Sequence, residues 1–330
     1  MINCIRAVIF IVFLGSCSNK TFVDELPKSG CTDSLAANYD SFATIDDGNC
    51  DYFGCTDSLA ANYDPLATID DGNCIDFNDV PSDFTWYWND EFNGDSLNLS
   101  NWTIEAMYEG AVNNEAQSYT ESLENVYVSN GNLNIRAKKE NPFNPNDPKY
   151  TSGRVITRDK LEIQYGYIEV RAKLPSGVGS WPAIWMLSSN INSVGWPKCG
   201  EIDIMEHVGH DSNHIYFSLH NNTLWGNVSG TDQQGVFYSE EIENQYNTYA
   251  VDWDSTQIKG YFNNQQFFQF TKSESMDYEE WPYDHPFFLI INLAIGGDWG
   301  GQQGIDNSIF PCKYLIDYVR VFKKLGDHGA

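Results

Sequence analysis

The stretch Ile168-Glu169-Val170-Arg171-Ala172-Lys173-Leu174 alternates apolar and polar side chains without a break. Successive side chains of a β-strand point to opposite faces of the sheet, so this period of two predicts a strand with one buried face. A similar run, Asn125–Val128, is followed by an Asn130-Gly131 turn signal. Short runs separated by turn signals about every ten residues predict an all-β fold. We expect a concave β-sandwich of two antiparallel sheets, a jelly roll.

A second stretch, EIDIME (Glu201–Glu206), places three carboxylates close together. In a regular strand Glu201 and Asp203 share one face, whereas Glu206 has the wrong parity to join them. One extra residue that bulges out at about Met205 would bring Glu206 to the same face. Three carboxylates on one sheet face repel one another, so this arrangement needs a functional reason.

Before residue 76 the chain repeats itself. GCTDSLAANYDSFATIDDGNC (Gly30–Cys50) recurs as GCTDSLAANYDPLATIDDGNC (Gly54–Cys74), with a period of 24 residues. Units this short do not build a core without covalent links, and pairing within each copy is the simplest connectivity. The predicted disulfides are Cys31 with Cys50 and Cys55 with Cys74.

Each copy ends in an Asp-Asp-Gly-Asn cluster, at Asp46–Asn49 and at Asp70–Asn73. The cluster combines oxygen ligands with a glycine that permits a turn, and calcium favours oxygen ligands. One interpretation is therefore a pair of calcium-binding repeats. The alternative is an acidic spacer closed by disulfides. In both interpretations the repeats form a stalk and carry no catalytic residue.

The N-terminus has the features of an export signal. One basic residue, Arg6, precedes an apolar run from Ala7 to Leu14 that is too short to span a bilayer. Small residues then lead to Cys17, a pattern that resembles a bacterial lipoprotein signal and would make Cys17 the lipidated first residue. The alternative is an ordinary signal peptide with an incidental cysteine. We expect an exported protein, lipid-anchored at the outer membrane or cell surface of a Gram-negative bacterium, where disulfides persist.

The formal net charge of −27 argues against nucleic acid or an anionic membrane surface as a binding partner. It suits an extracellular enzyme that acts on a neutral substrate, and we expect a monomer. Aromatic residues make up 15% of the chain and include 10 tryptophans, more than a core alone requires.

Seven segments of the C-terminal part carry a family resemblance. They read WNDEFNG (Trp88–Gly94), NNEAQSYT (Asn113–Thr120), YTSGRVITRDKLEIQYGYIEVRAKLP (Tyr150–Pro175), SWPAIWML (Ser180–Leu187), GWPKCGEIDIMEHVG (Gly195–Gly209), NLAIGGDWGG (Asn292–Gly301) and LIDYVRVF (Leu315–Phe322). In this order they resemble the laminarinase-like branch of glycoside hydrolase family 16, the endo-β-glucanases. The bulged form of the acidic stretch belongs to that branch.

The resemblance implies a role for each acid. Glu201 would be the nucleophile, Glu206 the general acid and then base, and Asp203 would hold a proton or hydrogen bond that tunes the pair. Enzymes that retain configuration use two carboxyls about 5–5.5 Å apart, one ionised and one protonated at the start. Catalysis by such a pair needs no cofactor.

The resemblance also implies residues that bind substrate. Flat aromatic rings suit the C–H faces of sugars, and polar side chains would bind sugar hydroxyls or orient the nucleophile. For Trp181 the alternative is core packing, and for His220 it is an ordinary half-buried histidine. The implied set comprises Trp181, Trp185, Trp196, Arg154, Asn292, His220, Asn113 and Glu115.

Asp317 shares the parity of Leu315, Val319 and Val321, which predicts a carboxylate on an apolar face. A carboxylate there needs a partner or a metal. The resemblance implies a structural Ca²⁺ held by Asp317, the carbonyl of Gly131 and a residue near Glu91. The alternative is a salt bridge from Asp317 to a basic side chain.

The remaining cysteines, Cys199 and Cys312, could pair in an oxidising compartment, but their spacing does not establish whether they meet. The predicted organisation follows from these observations. It comprises a lipoprotein signal (1–16), a linker (17–29), two Cys/Asp-rich repeats (30–76), a second linker (77–85), the catalytic domain (86–323) and a C-terminal tail (324–330).

The sequence thus predicts a secreted endo-β-1,3-glucanase of laminarin type that retains configuration. One alternative is the same mechanism on mixed-linkage β-1,3-1,4-glucan or on an agar-type galactan. Another is a β-glucan-binding protein without hydrolytic activity. The presence of all three acids, Glu201, Asp203 and Glu206, argues against the binding protein.

Overall fold

The computed structural model describes residues 26–140 and 149–326. The chain divides into two compact units, Met1–Tyr52 and Phe53–Ala330, so the boundary falls between the two repeats. The predicted signal segment and Cys17 lie outside the described residues. In the described part of the chain, no helix has the length and apolar character needed to cross a membrane.

In the first unit, a short parallel pair joins strands β1 (Ser29–Gly30) and β2 (Ile45–Asp46). The predicted disulfide between Cys31 and Cys50 is present. The Asn38 side chain closes the repeat, because its Nδ2 donates to the carbonyl of Asn49 (2.7 Å) and its Oδ1 accepts from the amide of Asp51 (2.8 Å). The disulfide and the hydrogen bonds of the Asn38 side chain therefore stabilise a repeat that is too short to build a hydrophobic core.

The second copy opens the second unit and has the same construction. Strands β3 (Phe53–Gly54) and β4 (Ile69–Asp70) pair in parallel, and the predicted Cys55–Cys74 disulfide is present. Asn62 repeats the bridge made by Asn38, with its Nδ2 2.7 Å from the carbonyl of Asn73. The within-copy disulfide pairing predicted from the sequence is confirmed in both copies.

The aspartates at the end of each repeat accept hydrogen bonds from backbone amides. In the first copy Asp46 accepts from the amide of Gly48 and Asp47 from that of Asn49. In the second copy Asp70 and Asp71 make the equivalent bonds. The carboxylate oxygens of these aspartates thus accept the backbone amides that close the turns. Calcium binding by the repeats stays a prediction.

The second repeat also packs against the sandwich that follows it. Nδ2 of Asn93 donates to the carbonyl of Gly72 (2.6 Å), and Nδ2 of Asn89 donates to that of Asn73 (3.3 Å). A 3₁₀ turn, Phe77–Asp79, then leads into the sandwich. The second copy is thus attached to the sandwich through several polar contacts.

The sandwich consists of two sheets, as the sequence predicted. The ten-stranded outer sheet is antiparallel except for one parallel pair, β7 with β10, and runs β20-β19-β18-β13-β22-β9-β10-β7, with β5 on β22 and β8 on β9. Its strands are β5 (Phe84–Asp90), β7 (Gln117–Tyr119), β8 (Val126–Val128), β9 (Leu133–Lys139), β10 (Tyr150–Ser152), β13 (Gly166–Lys173), β18 (Tyr246–Trp253), β19 (Gln257–Phe262), β20 (Gln265–Thr271) and β22 (Cys312–Lys324).

The eight-stranded sheet, called the cleft sheet below, is antiparallel and runs β17-β16-β15-β14-β21-β11-β6, with β12 on β21. Its strands are β6 (Thr103–Ile104), β11 (Arg154–Ile156), β12 (Glu162–Ile163), β14 (Ser180–Ser188), β15 (Glu201–Glu206), β16 (His214–His220), β17 (Gln234–Tyr238) and β21 (Phe287–Ile295). Two short helices, α1 (Ile191–Val194) and α2 (Gly297–Gly300), and a 3₁₀ turn at Asn307–Ile309 lie in its connections.

The alternation that predicted the fold is present in β13. Ile168, Val170 and Ala172 are fully buried in the main core between the sheets, whereas the polar residues between them are partly exposed. All nine residues of β21 are buried, because this central strand of the cleft sheet is covered on both faces. The sandwich therefore places a continuous core beneath the strands that carry the acids.

The predicted position of Asp317 is wrong, because β22 contains a bulge there. Tyr318 pairs with Arg171 and Ile316 with Ala172, so Asp317 has no partner across β13. The bulge shifts the parity, and Ile316 and Val319 face the core together. Asp317 instead forms a salt bridge with Arg171.

The residues predicted to hold calcium have other partners. Glu91 accepts two hydrogen bonds from Arg320, at 2.9 and 3.0 Å, and Asp317 is paired with Arg171. Carboxylates already neutralised by guanidinium groups do not fit a calcium ligand set, so the arrangement favours the salt-bridge alternative. A calcium site at Glu91, Gly131 and Asp317 stays a prediction that these contacts do not support.

Replacing Arg320 by Met should lower the free energy of unfolding by about 3 kcal/mol, because the nearly buried Glu91 carboxylate would lose its partner. Urea denaturation followed by tryptophan fluorescence measures this. As a control, Lys198→Met removes a salt bridge to Glu279 between half-exposed side chains and should change stability little. Equal losses in the two variants would contradict the role of the Glu91–Arg320 pair.

Candidate active site

The acidic strand β15 bulges, as its sequence predicted. Met205 pairs with Ile184 of β14 and Asp203 pairs with Trp185, so the intervening Ile204 has no partner on that side. On the other side, the register with β16 shifts between Asp203 and Glu206. Ile204 and Met205 are both buried in the core. The extra residue reverses the parity of the strand and turns Glu206 to the face that carries Glu201 and Asp203.

All three acids line one cleft of about 450 Å³ on this face of the cleft sheet. Most residues implied by the family resemblance line it too, whereas His220 does not. The lining comprises Val112, Asn113, Glu115, Arg154, Trp181, Ala183, Trp185, Leu187, Ile191, Trp196, Glu201, Asp203, Glu206, Asn292 and Ala294.

Glu201 is held by a tryptophan that precedes it in the chain. Nε1 of Trp196 donates to Oε2 of Glu201 at 2.9 Å, while 45% of the Trp196 surface stays exposed. Trp196 therefore fixes the carboxylate and still offers an aromatic surface to the cleft. This combines the predicted contact surface for sugar with a hydrogen bond that the sequence did not predict.

Glu206 is held by a second tryptophan. Nε1 of Trp181 donates to Oε1 of Glu206 at 3.0 Å. Only 9% of Trp181 is exposed, and its ring packs edge-on against Trp299, whose ring in turn packs against Tyr216. Most of the Trp181 side chain is therefore packed against protein, as the core-packing alternative predicted. Its indole N–H orients Glu206.

His220 lies beside the acids. Its Nε2 is 3.0 Å from Oδ2 of Asp203 and 3.8 Å from Oε1 of Glu201, and the residue is 7% exposed. The approach to Asp203 has the distance of an ion pair, but Oδ2 accepts no hydrogen bond, so the angle is unfavourable. The arrangement therefore favours a role for His220 as a neighbour of the acids over its predicted contact with substrate.

A hydrogen-bond network supports the other side of the cleft. Trp185 donates to Oδ1 of Asn292 (2.7 Å), and Nδ2 of Asn292 donates to the hydroxyl of Tyr119 (3.0 Å). Tyr119 and Gln117 both donate to Oε2 of Glu115 (3.0 and 2.7 Å). Asn292 and Glu115 were both predicted to bind substrate. Most of their hydrogen bonds are instead made to other residues of the protein.

Arg154 is buried at the edge of this network. Its Nε lies 2.6 Å from a carboxylate oxygen of Glu105, and its guanidinium group packs 4.9 Å from the centre of the Trp185 ring. Asn113 occupies a turn with positive φ, and its carbonyl accepts from the amide of Asp298. These contacts fix the shape of the cleft wall, and the predicted contacts of Arg154 and Asn113 with sugar stay predictions.

Sequence reasoning missed several residues of the site. Trp225, 54% exposed, packs edge-on against Trp196 with ring centres 5.5 Å apart. Trp225 lies in a polar loop, and a single tryptophan among polar residues is the one feature of the sequence that could have indicated a binding role. Gln117, Tyr119 and Glu105 were also missed, because they act through long-range partners that no local pattern reveals.

Comparison with known proteins agrees with this geometry. The family model for glycosyl hydrolases family 16 matches residues 113–320, a range that includes β15 and most of the cleft lining. The chain belongs to this family. The family 16 hydrolase is therefore a glycoside hydrolase, as the sequence predicted.

Its relatives support that class. A β-glucanase from Rhodothermus marinus is 38% identical over 244 residues, covering 72% of this chain and 84% of the relative. Glucan endo-1,3-β-glucosidase A1 from Niallia circulans is 37% identical over 255 residues, which cover 72% of this chain but 37% of that longer protein. The laminarinase structure from Flavobacterium sp. UMI-01 is 42% identical with a TM-score of 0.66, covering 72% of this chain and all of that one.

Burial raises the pKa of Glu201, Asp203 and Glu206 in the cleft of the family 16 hydrolase. It raises the pKa of Asp203 to about 8, and burial together with repulsion from Asp203 raises that of Glu206 to about 8. Burial and then the charge of Asp203 raise the pKa of Glu201, while His220 and the Trp196 hydrogen bond oppose the rise. The three carboxyls therefore do not all carry a charge together near neutral pH.

Cys199 and Cys312 are both free and buried, which answers the question that their spacing left open. Burial raises the pKa of each thiol to about 12, so neither is a thiolate near neutral pH. Cys199 precedes the acids by two residues and contributes to a small apolar cluster with Leu187 and Ile290. Its role near the site is packing.

Hydrolysis by the family 16 hydrolase should decline as the pH rises through about 8, because the role expected of Glu206 as general acid requires its protonated form. Replacing Trp181 by Phe removes a donor that favours the ionised form, so the pKa of Glu206 should rise and the alkaline limb of kcat/KM should move to higher pH. A pH profile of both enzymes measures the shift. An alkaline limb at the same or lower pH in the variant would contradict this assignment.

Proposed function

We propose that this protein is an endo-β-1,3-glucanase of laminarin type that cleaves with retention of configuration. The observation that carries the proposal is the bulge in β15, which places Glu206 in the cleft beside Glu201 and Asp203. Each of the two glutamates also accepts an indole N–H from a different tryptophan. Two oriented carboxyls with a third between them match the needs of double displacement.

In the proposed reaction, Glu201 attacks the anomeric carbon while Glu206 gives its proton to the leaving glycosidic oxygen. A water then transfers its proton to the Glu206 carboxylate and attacks the same carbon, which releases Glu201. Asp203 shares a proton with Glu201 and so supports the carboxylate that leaves in the second step. Burial raises the pKa of Asp203 to about 8, and its hydrogen bond with Glu201 opposes the rise.

The surface of the cleft supports a neutral polysaccharide as the substrate. Trp196 and Trp225 expose about half of their rings at one end of the acidic strand. Their edge-on packing gives two flat apolar surfaces at an angle, which suits successive sugar rings that are not coplanar. The relatives whose names specify a linkage include a glucan endo-1,3-β-glucosidase, and the net charge of −27 disfavours an anionic polymer.

The proposal includes export and attachment through the lipidated Cys17, with the repeats between the anchor and the catalytic part. The support is the apolar segment that ends in Leu14-Gly15-Ser16-Cys17 and the two disulfides of the repeats, which require an oxidising compartment.

Reducing-end release should be fastest on laminarin, slower on mixed-linkage β-1,3-1,4-glucan and absent on agarose. Oligosaccharides of several lengths should appear early, because an endo-acting enzyme cuts within the chain. Chromatography of the products over time checks both points. No release from laminarin would overturn the proposed substrate, and faster release from mixed-linkage glucan would move the assignment to that polymer.

Glu201→Ser should abolish hydrolysis while oligosaccharide binding stays measurable, because the variant loses the nucleophile but keeps the aromatic surfaces. Single-turnover assays and calorimetry with a laminarin oligosaccharide measure the two quantities. Glu162→Ser, at an exposed position of β12, is the matched control and should keep full activity. Near-normal turnover by Glu201→Ser would show that another group is the nucleophile.

A further inference from the structure

Glu201, Asp203 and His220 bring three metal-ligating side chains together at one end of the cleft. One donor atom from each lies within 4.8 Å of the other two, and no second group of three such residues occurs in the described ranges 26–140 and 149–326. Nε2 of His220 is the common neighbour, 3.0 Å from Asp203 and 3.8 Å from Glu201. The group combines residues from two adjacent strands, β15 and β16, whose registers pair Glu201 with His220.

Two atoms of this group lack a hydrogen bond. Asp203 is 3% exposed and its Oδ2 accepts none, and Nδ1 of the 7% exposed His220 makes none either. A buried acceptor without a donor costs free energy, and native proteins leave few of them. The lone pairs of Oδ2 are therefore available to a cation that enters beside Nε2.

The separations fit a small ion. Zinc forms bonds of about 2.0–2.2 Å to imidazole and carboxylate, so tetrahedral ligands lie about 3.4 Å from one another. The measured separations of 3.0 and 3.8 Å lie on either side of that value. Glu201 and Asp203 also line the cleft, which leaves room for a water as the fourth ligand.

The donor set selects the class of ion. One imidazole and two carboxylates suit first-row transition metals such as zinc, whereas calcium takes six to eight oxygen ligands. A divalent cation would displace the protons that the buried carboxyls hold near neutral pH and neutralise the carboxylates that it binds. The site already described thus has the composition of a three-ligand metal centre.

We propose that Glu201, Asp203 and His220 bind one divalent transition-metal ion, with zinc as the representative, and that the bound ion blocks hydrolysis. The ion occupies the carboxylate of Glu201 and prevents its attack on the sugar. Binding of the ion is independent of the proposed function. Its effect on activity rests on the role of Glu201 as nucleophile.

The binding is tested by calorimetric titration of the full chain with Zn²⁺ and by the visible absorption of bound Co²⁺. His220→Gln and Asp203→Asn should each weaken binding about tenfold or more and change the Co²⁺ spectrum. His214→Gln is the matched control, because His214 starts the same strand and also contacts a carboxylate, Asp211, outside the group. It should leave affinity and spectrum unchanged.

Several results would overturn the site. They are a Kd for Zn²⁺ above about 1 mM, unchanged affinity in both His220→Gln and Asp203→Asn, or an equal loss in His214→Gln. Two ligand variants on different strands keep the test decisive when one of them does not fold. Weak binding by the acidic repeats is common to all variants and cancels in the comparison.

The inhibitory role has its own readout. Zn²⁺ should lower kcat for laminarin more than it raises KM, because the ion blocks Glu201 and leaves the aromatic surfaces free to bind sugar. A chelator should restore activity, and His220→Gln should need about tenfold more Zn²⁺ for half-inhibition of its own activity. Binding that is lost in the ligand variants without inhibition of the unaltered enzyme would overturn the inhibitory role. An enzyme inactive on every β-glucan would instead overturn the proposed function, with the calorimetric result unaffected.

Discussion

Three carboxylates buried on one face of a strand are the constraint on which the site depends. Burial raises the pKa of Glu201, Asp203 and Glu206, and the charge of Asp203 adds to the rise at the two glutamates, so the cluster does not carry three full charges near neutral pH. The surrounding residues offset the free-energy cost of burying the three carboxyls together. Two indole N–H groups orient the glutamates, and His220 stands beside the remaining acid. The proposed retaining reaction would use a mixture of protonated and ionised carboxyls.

The bulge in β15 converts a sheet into this site. Without an extra residue, Glu206 would point into the core, where Ile204 and Met205 now pack. The cost is a local break in the hydrogen-bond ladder with both neighbouring strands. The continuous apolar packing beneath β14, β15 and β21 holds the irregular strand in place. A rigid core therefore supports a functional departure from regular pairing.

A second bulge has a structural consequence. At Asp317 it moves a carboxylate off the core face and lets Arg171 neutralise it, while Arg320 neutralises Glu91. Near these pairs, the side chains of Asn89 and Asn93 donate hydrogen bonds to backbone carbonyls in the turn at the end of the second repeat. The repeat was expected to act as part of a stalk, yet these polar contacts attach it to the sandwich. Its disulfide and its asparagine bridge make it a rigid element that such contacts can hold.

The sequence by itself determined the fold class, the disulfides and the placement of three acids on one face of a bulged strand. A period-two pattern, paired cysteines within short repeats and a parity mismatch in six residues are local signals, and each follows from the geometry of a strand or a short loop. Only the tertiary structure decided the partners of those residues. Trp181 proved to orient Glu206, His220 to face Asp203, and Asp317 to meet Arg171, because each contact depends on register and bulges between strands distant in sequence. Local periodicity fixes which face a side chain takes, whereas its neighbour on that face is set by the packing of the whole sheet.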